Sequence, residues 1–388
     1  QIEPHDSVER YTGLGVDVTT GEARITSPWH VEVNGRSIST RNIIIAAGAR
    51  PFVPDLPGLE DMPMVTSDTA WNLREQPRRL LVLGGGPIGC ELALAFQQLG
   101  SQVIQVERGV RLLPREDADA SELVMGSLRS AGVDLRLRHQ AETFELRDGV
   151  PAVQCRSLDD NSTVDIEFDC VLVALGRVAN TSGYGIETLD LTLRDNGTLE
   201  TNEYLATRFP NVFAVGDVTG PYQFPHAASH QAWYAAVNAL FGTFRRFKAD
   251  YRVLPHCTFT DPEVARVGLS ETEAQAQGIA FEVTRYGIDD LDRAIADEAA
   301  EGFVKVLTVP GRDRILGVTI VGAHAGELIA EYVLAMKYNL GLNKILGTVH
   351  SYPTLSEANK YAAGEWKRAH QPERLLQWVA RFHAWRRE

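Results

Sequence analysis

Between Arg79 and Glu107 the residue pattern leaves room for little but a strand, a tight turn, a helix and a second strand. Leu80-Leu81-Val82-Leu83 is apolar without alternation, as in a strand covered on both faces, and it runs into Gly84-Gly85-Gly86. A helical pattern follows through Glu91, Leu92, Ala95 and Phe96 to Gly100, and Ser101 to Glu107 reads as the next strand. This is a βαβ unit. Within it stands Gly84-x-Gly86-x-x-Gly89. The spacing supplies a tight turn at Gly84, close backbone approach at Gly86 and close helix-to-strand packing at Gly89, with the helix N-terminus facing an anion. With 33 glycines in 388 residues such a triplet recurs by chance in roughly a quarter of chains, so context decides. Here the triplet joins a strand to a helix and meets an acidic residue, Glu107, at the end of the next strand. A carboxylate there accepts hydrogen bonds from a ribose diol, which points to a dinucleotide site. Glu107 favours NAD, because a carboxylate beside a 2′-phosphate repels it. Arg108, Arg111 and Arg115 follow closely and keep NADP open, although they also read as a solvated basic stretch balanced by Glu116 and Asp117.

Further along, Ile43-Ile44-Ile45-Ala46-Ala47-Gly48 reads as a strand buried on both faces, after a hairpin around Asn34-Gly35. Pro51, Pro54, Pro57, Pro63 and Pro77 mark a connector that resists helix and strand. Buried strands recur at Cys170–Leu175, closing at Gly176-Arg177, and at Val212–Val215, ending at Gly216-Asp217 ahead of a helix near His226. The last part mixes strands (303–309, 315–321) with a helix over 327–338. A formal charge of −13 argues against a partner held by phosphate neutralisation, so no nucleic acid is expected. No stretch is apolar enough to span a bilayer, and the terminal segment with Trp366, Trp378 and Trp385 among arginines reads as an amphipathic surface helix. Cys90, Cys155, Cys170 and Cys257 stand far apart. They form neither a disulfide framework nor a zinc pattern, so reduced thiols, a cytoplasmic setting and no metal site are expected.

Five ordered elements, Ile45-Ala46-Ala47-Gly48-Ala49-Arg50-Pro51, Gly84 to Glu91, Ala174-Leu175-Gly176-Arg177 with Asn180, Val215-Gly216-Asp217, and Pro353-Thr354-x-x-Glu357, resemble the pyridine nucleotide-disulfide oxidoreductases over nearly the whole chain. Within the family it resembles dihydrolipoamide dehydrogenase and mercuric reductase. The resemblance implies an α/β fold: FAD- and NAD(P)-binding doubly wound, Rossmann-like domains, plus a C-terminal α+β dimerisation domain. Expected boundaries are 1–77 and 196–250 for the FAD domain, 78–195 for the NAD(P) domain and 251–388 for a homodimer interface. It implies FAD contacts at Gly48, Gly176, Gly216 and Asp217, with backbone N–H groups at His226 and Ala227 facing the flavin. Pro225 removes one amide from that turn. Glu91 would sit beside the nicotinamide, and Tyr352 and Glu357 would line the acceptor site.

Departures from the family pattern matter as well. No two cysteines are five positions apart, so the redox disulfide of the family has no counterpart here. The strand ending at Gly48 comes early for a complete FAD domain, so roughly 100 residues are expected ahead of Gln1, and without them this chain is expected to retain FAD weakly or not at all. Tyr352 stands where lipoamide and glutathione reductases place a histidine, as in mercuric reductase, with His350 two positions earlier. The implied activity is hydride transfer from NAD(P)H to FAD, then to a redox disulfide in the N-terminal part expected ahead of Gln1, and on to a small-molecule or metal-ion acceptor. The alternatives are a flavin NADH oxidase or ferredoxin-reductase-like enzyme without a redox disulfide, and a non-catalytic nucleotide-binding dimerisation module.

Overall fold

The strand Arg79–Leu83 lies at the centre of a five-stranded parallel sheet, with Leu81 and Val82 fully buried. The structure, a computed structural model, describes residues 3–387. Strand order in this sheet is Met64–Thr66, Cys170–Val173, Arg79–Leu83, Gln102–Glu107, Asp134–Leu137, each pair parallel. The helices Pro87–Gln98 and Ala118–Ser130 supply Ala93, Leu94, Val124 and Leu128 to the core on one face. A three-stranded antiparallel sheet, 139–167, supplies Phe144, Val153 and Ile166 to a second core with Phe168, Leu81 and Val171. From Pro255 to Gly322 five strands form an antiparallel sheet covered by the helices Ala325–Lys337 and Glu357–Ala369. Pro51–Gly176 and the chain from Tyr251 onward cluster as one unit, whereas the chain up to Arg50 and Arg177–Asp250 form the other.

This division moves the boundaries read from sequence. Arg177–Ala179 pairs with Ala49–Pro51, and Ile186 and Leu189 pack with Ile25, Ile43 and Val212, so residues 177–195 belong with the flavin-side segments. The proline-rich connector contributes Met64–Thr66 to the edge of the parallel sheet. Pro63 is tolerated there because only its carbonyl is used, accepting from the Val171 amide. Ile43–Ile45 pairs with Val212–Ala214 on one edge. It is not buried on both faces, since Ile44 is 40% exposed.

Two buried ionic knots join the loop after Glu107 to the antiparallel sheet. Glu116 accepts from His256 (2.9 Å) and from the Arg266 guanidinium (2.9 Å). Asp117 accepts from the Glu271 and Thr272 amides, and Lys305, 1% exposed, reaches Asp117 (2.9 Å), Asp119 (2.8 Å) and Glu271 (2.8 Å). Glu116 and Asp117 are therefore committed to the C-terminal domain and do not balance the neighbouring arginines. Burial pushes both carboxyls up. Hydrogen bonds from His256 and Lys305, with the adjacent positive charges, outweigh it and hold both below their ordinary range. Because the folded pKa is the lower one, the contribution is complete above the ordinary carboxylate range and is lost as pH falls through the lowered values. Thermal stability is thus expected to fall steeply below about pH 4, and an acid titration of the melting temperature with no such drop would contradict this assignment.

Candidate cofactor and acceptor sites

Three glycines of the turn have three different reasons to be glycine. Gly84 has φ +109, and a Cβ on it would stand 2.5 Å from the Ala174 carbonyl oxygen. A Cβ on Gly89 would lie 2.2 Å from the Gly84 carbonyl oxygen, so this position permits helix and strand to touch. A Cβ on Gly86 meets nothing within 4 Å. That open cradle sits at the N-cap of Pro87–Gln98, ahead of the first intrahelical bond from the Cys90 amide to the Gly86 carbonyl. Space that the protein leaves vacant at a positive helix end fits a diphosphate.

Glu107 does more than the sequence indicates. Its carboxylate accepts from the Gly85 amide (2.6 Å) and from the Gly109 amide (2.6 Å), tying the glycine turn to the loop beyond the strand. Each oxygen keeps a further lone pair for a ribose hydroxyl. Gln105, fully buried, also braces the turn by donating to the Gly84 carbonyl (2.9 Å); this residue was missed because a glutamine inside a strand carries no motif. Arg108 and Arg115 are exposed nearby, while Arg111 donates to the carbonyls of Pro114 and Glu116. Glu91, half-buried in the first turns of the helix, accepts from the Phe259 amide (2.9 Å), and burial raises its pKa.

In the other unit, a 460 Å³ cavity is lined by Gly48, Ala49, Arg177, Gly216, Asp217 and Ala228 among others. Gly216 (φ +75) leads Asp217 into it, and Gln231 fixes the turn by accepting from the Gly216 amide (2.6 Å) and donating to the Gly220 carbonyl (2.9 Å). Burial raises the Asp217 pKa, opposed by the Arg177 charge at 3.6 Å. The helix Pro225–Phe241 carries Pro225 at N1, where an N–H is expendable, and sets the His226 and Ala227 amides at N2 and N3, ahead of the bond from Ala228 to Phe224. The His226 ring stacks on Phe224. Asn180 draws the first and third family elements together, donating to the Ala47 carbonyl (2.9 Å) and accepting from Arg50 (3.2 Å). A cavity with a carboxyl, bordered by Ala228, Ser229 and Ala232 from the first turns of that helix, fits part of a flavin, whereas His226 and Ala227 are not among its lining residues. Gly176 (φ +119) has open space around it but belongs to the unit carrying the parallel sheet.

At the C-terminal site Tyr352, 69% exposed, precedes a cis peptide to Pro353 and donates its hydroxyl to Asp292 (2.7 Å). That hydrogen bond and the Asp292 charge raise the phenol's pKa. Glu357, 7% exposed, accepts from the Thr354 amide (3.2 Å) and from Tyr361 (3.4 Å). His350 turns to Glu331 (3.0 Å), which also accepts from Asn359. His350 and Tyr352 thus serve different partners, where an extended segment would have pointed them the same way. Burial pushes the thiols of Cys90, Cys155 and Cys257 up to about 12 and that of Cys170 to about 11. Since the thiolate is the nucleophile, iodoacetamide at neutral pH is expected to leave all four unmodified while the chain is folded; rapid labelling seen by mass spectrometry would refute this.

An open turn at a helix N-terminus that fits a diphosphate and, in the other unit, a cavity that fits part of a flavin are features of an FAD- and NAD(P)H-dependent oxidoreductase. The sequence profile of the pyridine nucleotide-disulphide oxidoreductases matches residues 3–236 and that of their dimerisation domain matches 254–363. The chain belongs to this family, and its activity is that of an oxidoreductase of the disulfide reductase type. It is 34% identical over 348 residues to a dihydrolipoyl dehydrogenase of Chlamydia muridarum, covering 88% of this chain and 73% of that protein. It is likewise 34% identical to a mercuric reductase of Staphylococcus aureus, covering 92% of this chain and 64% of that protein. Among solved structures, the HOCl-induced flavoprotein disulfide reductase RclA from Escherichia coli superposes with a TM-score of 0.82 at 27% identity, covering 92% of this chain and 82% of that one. The dimerisation domain supports a homodimer. Among the described residues no helix is long and apolar enough to cross a membrane.

Proposed function

We propose that this protein is an NADH-preferring cytoplasmic reductase whose acceptor is a soft metal ion or an atypical disulfide, not lipoamide. The observation that carries the reading is Tyr352. Its phenol is held by Asp292 with a raised pKa, so at neutral pH it donates a proton or hydrogen bond and cannot serve as the base that a dithiol substrate requires.

When bound, NADH supplies a hydride and FAD takes it up. The chain's own residues bind and orient. Gly84, Gly86 and Gly89 shape the diphosphate cradle, Glu107 receives the ribose hydroxyls while bracing Gly85, and Glu91, fixed by the Phe259 amide, flanks the nicotinamide. Gly48, Gly216, Asp217 and the amides of His226 and Ala227 hold the flavin. Tyr352 and Glu357 face the acceptor. The four separated thiols, none in a disulfide, suit a reducing cytoplasm.

The full-length protein is expected to oxidise NADH with mercuric ion while showing little NAD-dependent oxidation of dihydrolipoamide; comparable kcat/KM for both acceptors would overturn the proposal. Tyr352→Phe should cut acceptor turnover by about 100-fold while leaving flavin reduction by NADH unchanged. Glu107→Ala should raise KM for NADH by about tenfold and for NADPH by less, and equal losses would remove the cofactor preference.

A further inference from the structure

The helix Glu373–Trp385 lies beyond the matched dimerisation segment, which stops at residue 363, and none of its residues is buried. Leu375, Trp378, Val379 and Phe382 recur at i, i+3, i+4 and i+7, and Trp385 extends the same face. Trp378 is 62% exposed and Trp385 69%; Phe382 stacks on Trp378 with ring centres 5.9 Å apart and lies 6.1 Å from Trp385, so the face is one continuous aromatic surface. Arg374 precedes Trp378 by four residues and Arg381 precedes Trp385 by four, so two Arg–Trp pairs stand one heptad apart along the same flank. Arg386 lies over the Phe382 ring at 5.8 Å. Over 373–387 the bases Arg374, Arg381, Arg386 and Arg387 stand against the single acid Glu373, in a chain whose net charge is −13.

We propose that this helix is a peripheral membrane anchor that lays its Leu375, Trp378, Val379, Phe382 and Trp385 face into an anionic lipid surface. Charge complementarity selects the occupant: the basic flank attracts acidic headgroups, while the acidic remainder of the chain is repelled by them, so contact is confined to this helix. Indole rings beside arginines are the side chains suited to the boundary between headgroups and acyl chains. A second copy of the chain is the less suited occupant, because the family's shared dimer framework stops short of the helix.

The test is flotation of the 388-residue chain with large unilamellar vesicles of phosphatidylglycerol and phosphatidylcholine, against vesicles of phosphatidylcholine alone. Expected is binding to the anionic vesicles at low ionic strength and its loss at about 1 M salt, where charges are screened within about 3 Å. Arg374→Gln with Arg381→Gln should weaken binding by about 30-fold. Trp378→Ala with Trp385→Ala should abolish it, with melting temperatures unchanged in both because no residue of the helix is buried. Failure to float with anionic vesicles, equal binding to both compositions, or assembly beyond a dimer that Trp378→Ala dissolves would overturn the proposal, the last by showing that another copy covers this face.

Discussion

Gly86→Val is expected to fold with an unchanged melting temperature and to lose affinity for NADH by about 100-fold or more, roughly 2.7 kcal/mol. A side chain there enters empty space in the protein, so nothing in the fold opposes it, and it occupies the cradle that the diphosphate requires. Gly89→Val makes the contrasting case. Its Cβ would fall 2.2 Å from the Gly84 carbonyl oxygen, which must shift, so stability should drop by about 3 kcal/mol together with binding. Titration calorimetry and thermal melting on the two variants separate binding from folding. Should Gly86→Val bind NADH normally, the cradle is not the nucleotide site.

Lys305→Met carries the second large effect. It removes the cation shared by Asp117, Asp119 and Glu271 and leaves Asp117 buried without its counter-charge, a change expected to cost about 3–5 kcal/mol. By contrast, breaking the exposed Arg208–Asp190 pair should cost less than about 1 kcal/mol. Urea midpoints on Lys305→Met and Arg208→Met make the comparison, and a Lys305→Met midpoint as close to the parent as that of Arg208→Met would remove the knot from the account.

The parts of the molecule readable from sequence are those specified by near neighbours. The βαβ unit from Arg79 to Glu107 is local periodicity plus a turn, and the structure has it within a residue or two at each end. The helix Ala325–Lys337 and the strands Phe303–Thr308 and Ile315–Gly322 follow the same rule, whereas the terminal tryptophan-rich stretch, read as one surface helix, divides into Glu357–Ala369, with Trp366 buried in the core, and Glu373–Trp385. Met64–Thr66 escaped because three residues among prolines carry no period, and only their pairing with Cys170–Val173 makes them a strand. Glu116 and Asp117 read as a solvated charge run since their partners Arg266, His256 and Lys305 lie far away in sequence. Tyr352 was visible as a departure from a family pattern, but Asp292, sixty positions upstream, was not. In each case the missing information is a tertiary partner, which no window along the chain contains.

The loop that follows Glu107 is fastened through Glu116 and Asp117 to the very sheet that belongs to the dimerisation domain. Any influence that nucleotide binding exerts on the pairing of subunits through this connection has an equal counterpart in the other direction, because linked equilibria change each other's constants by the same factor.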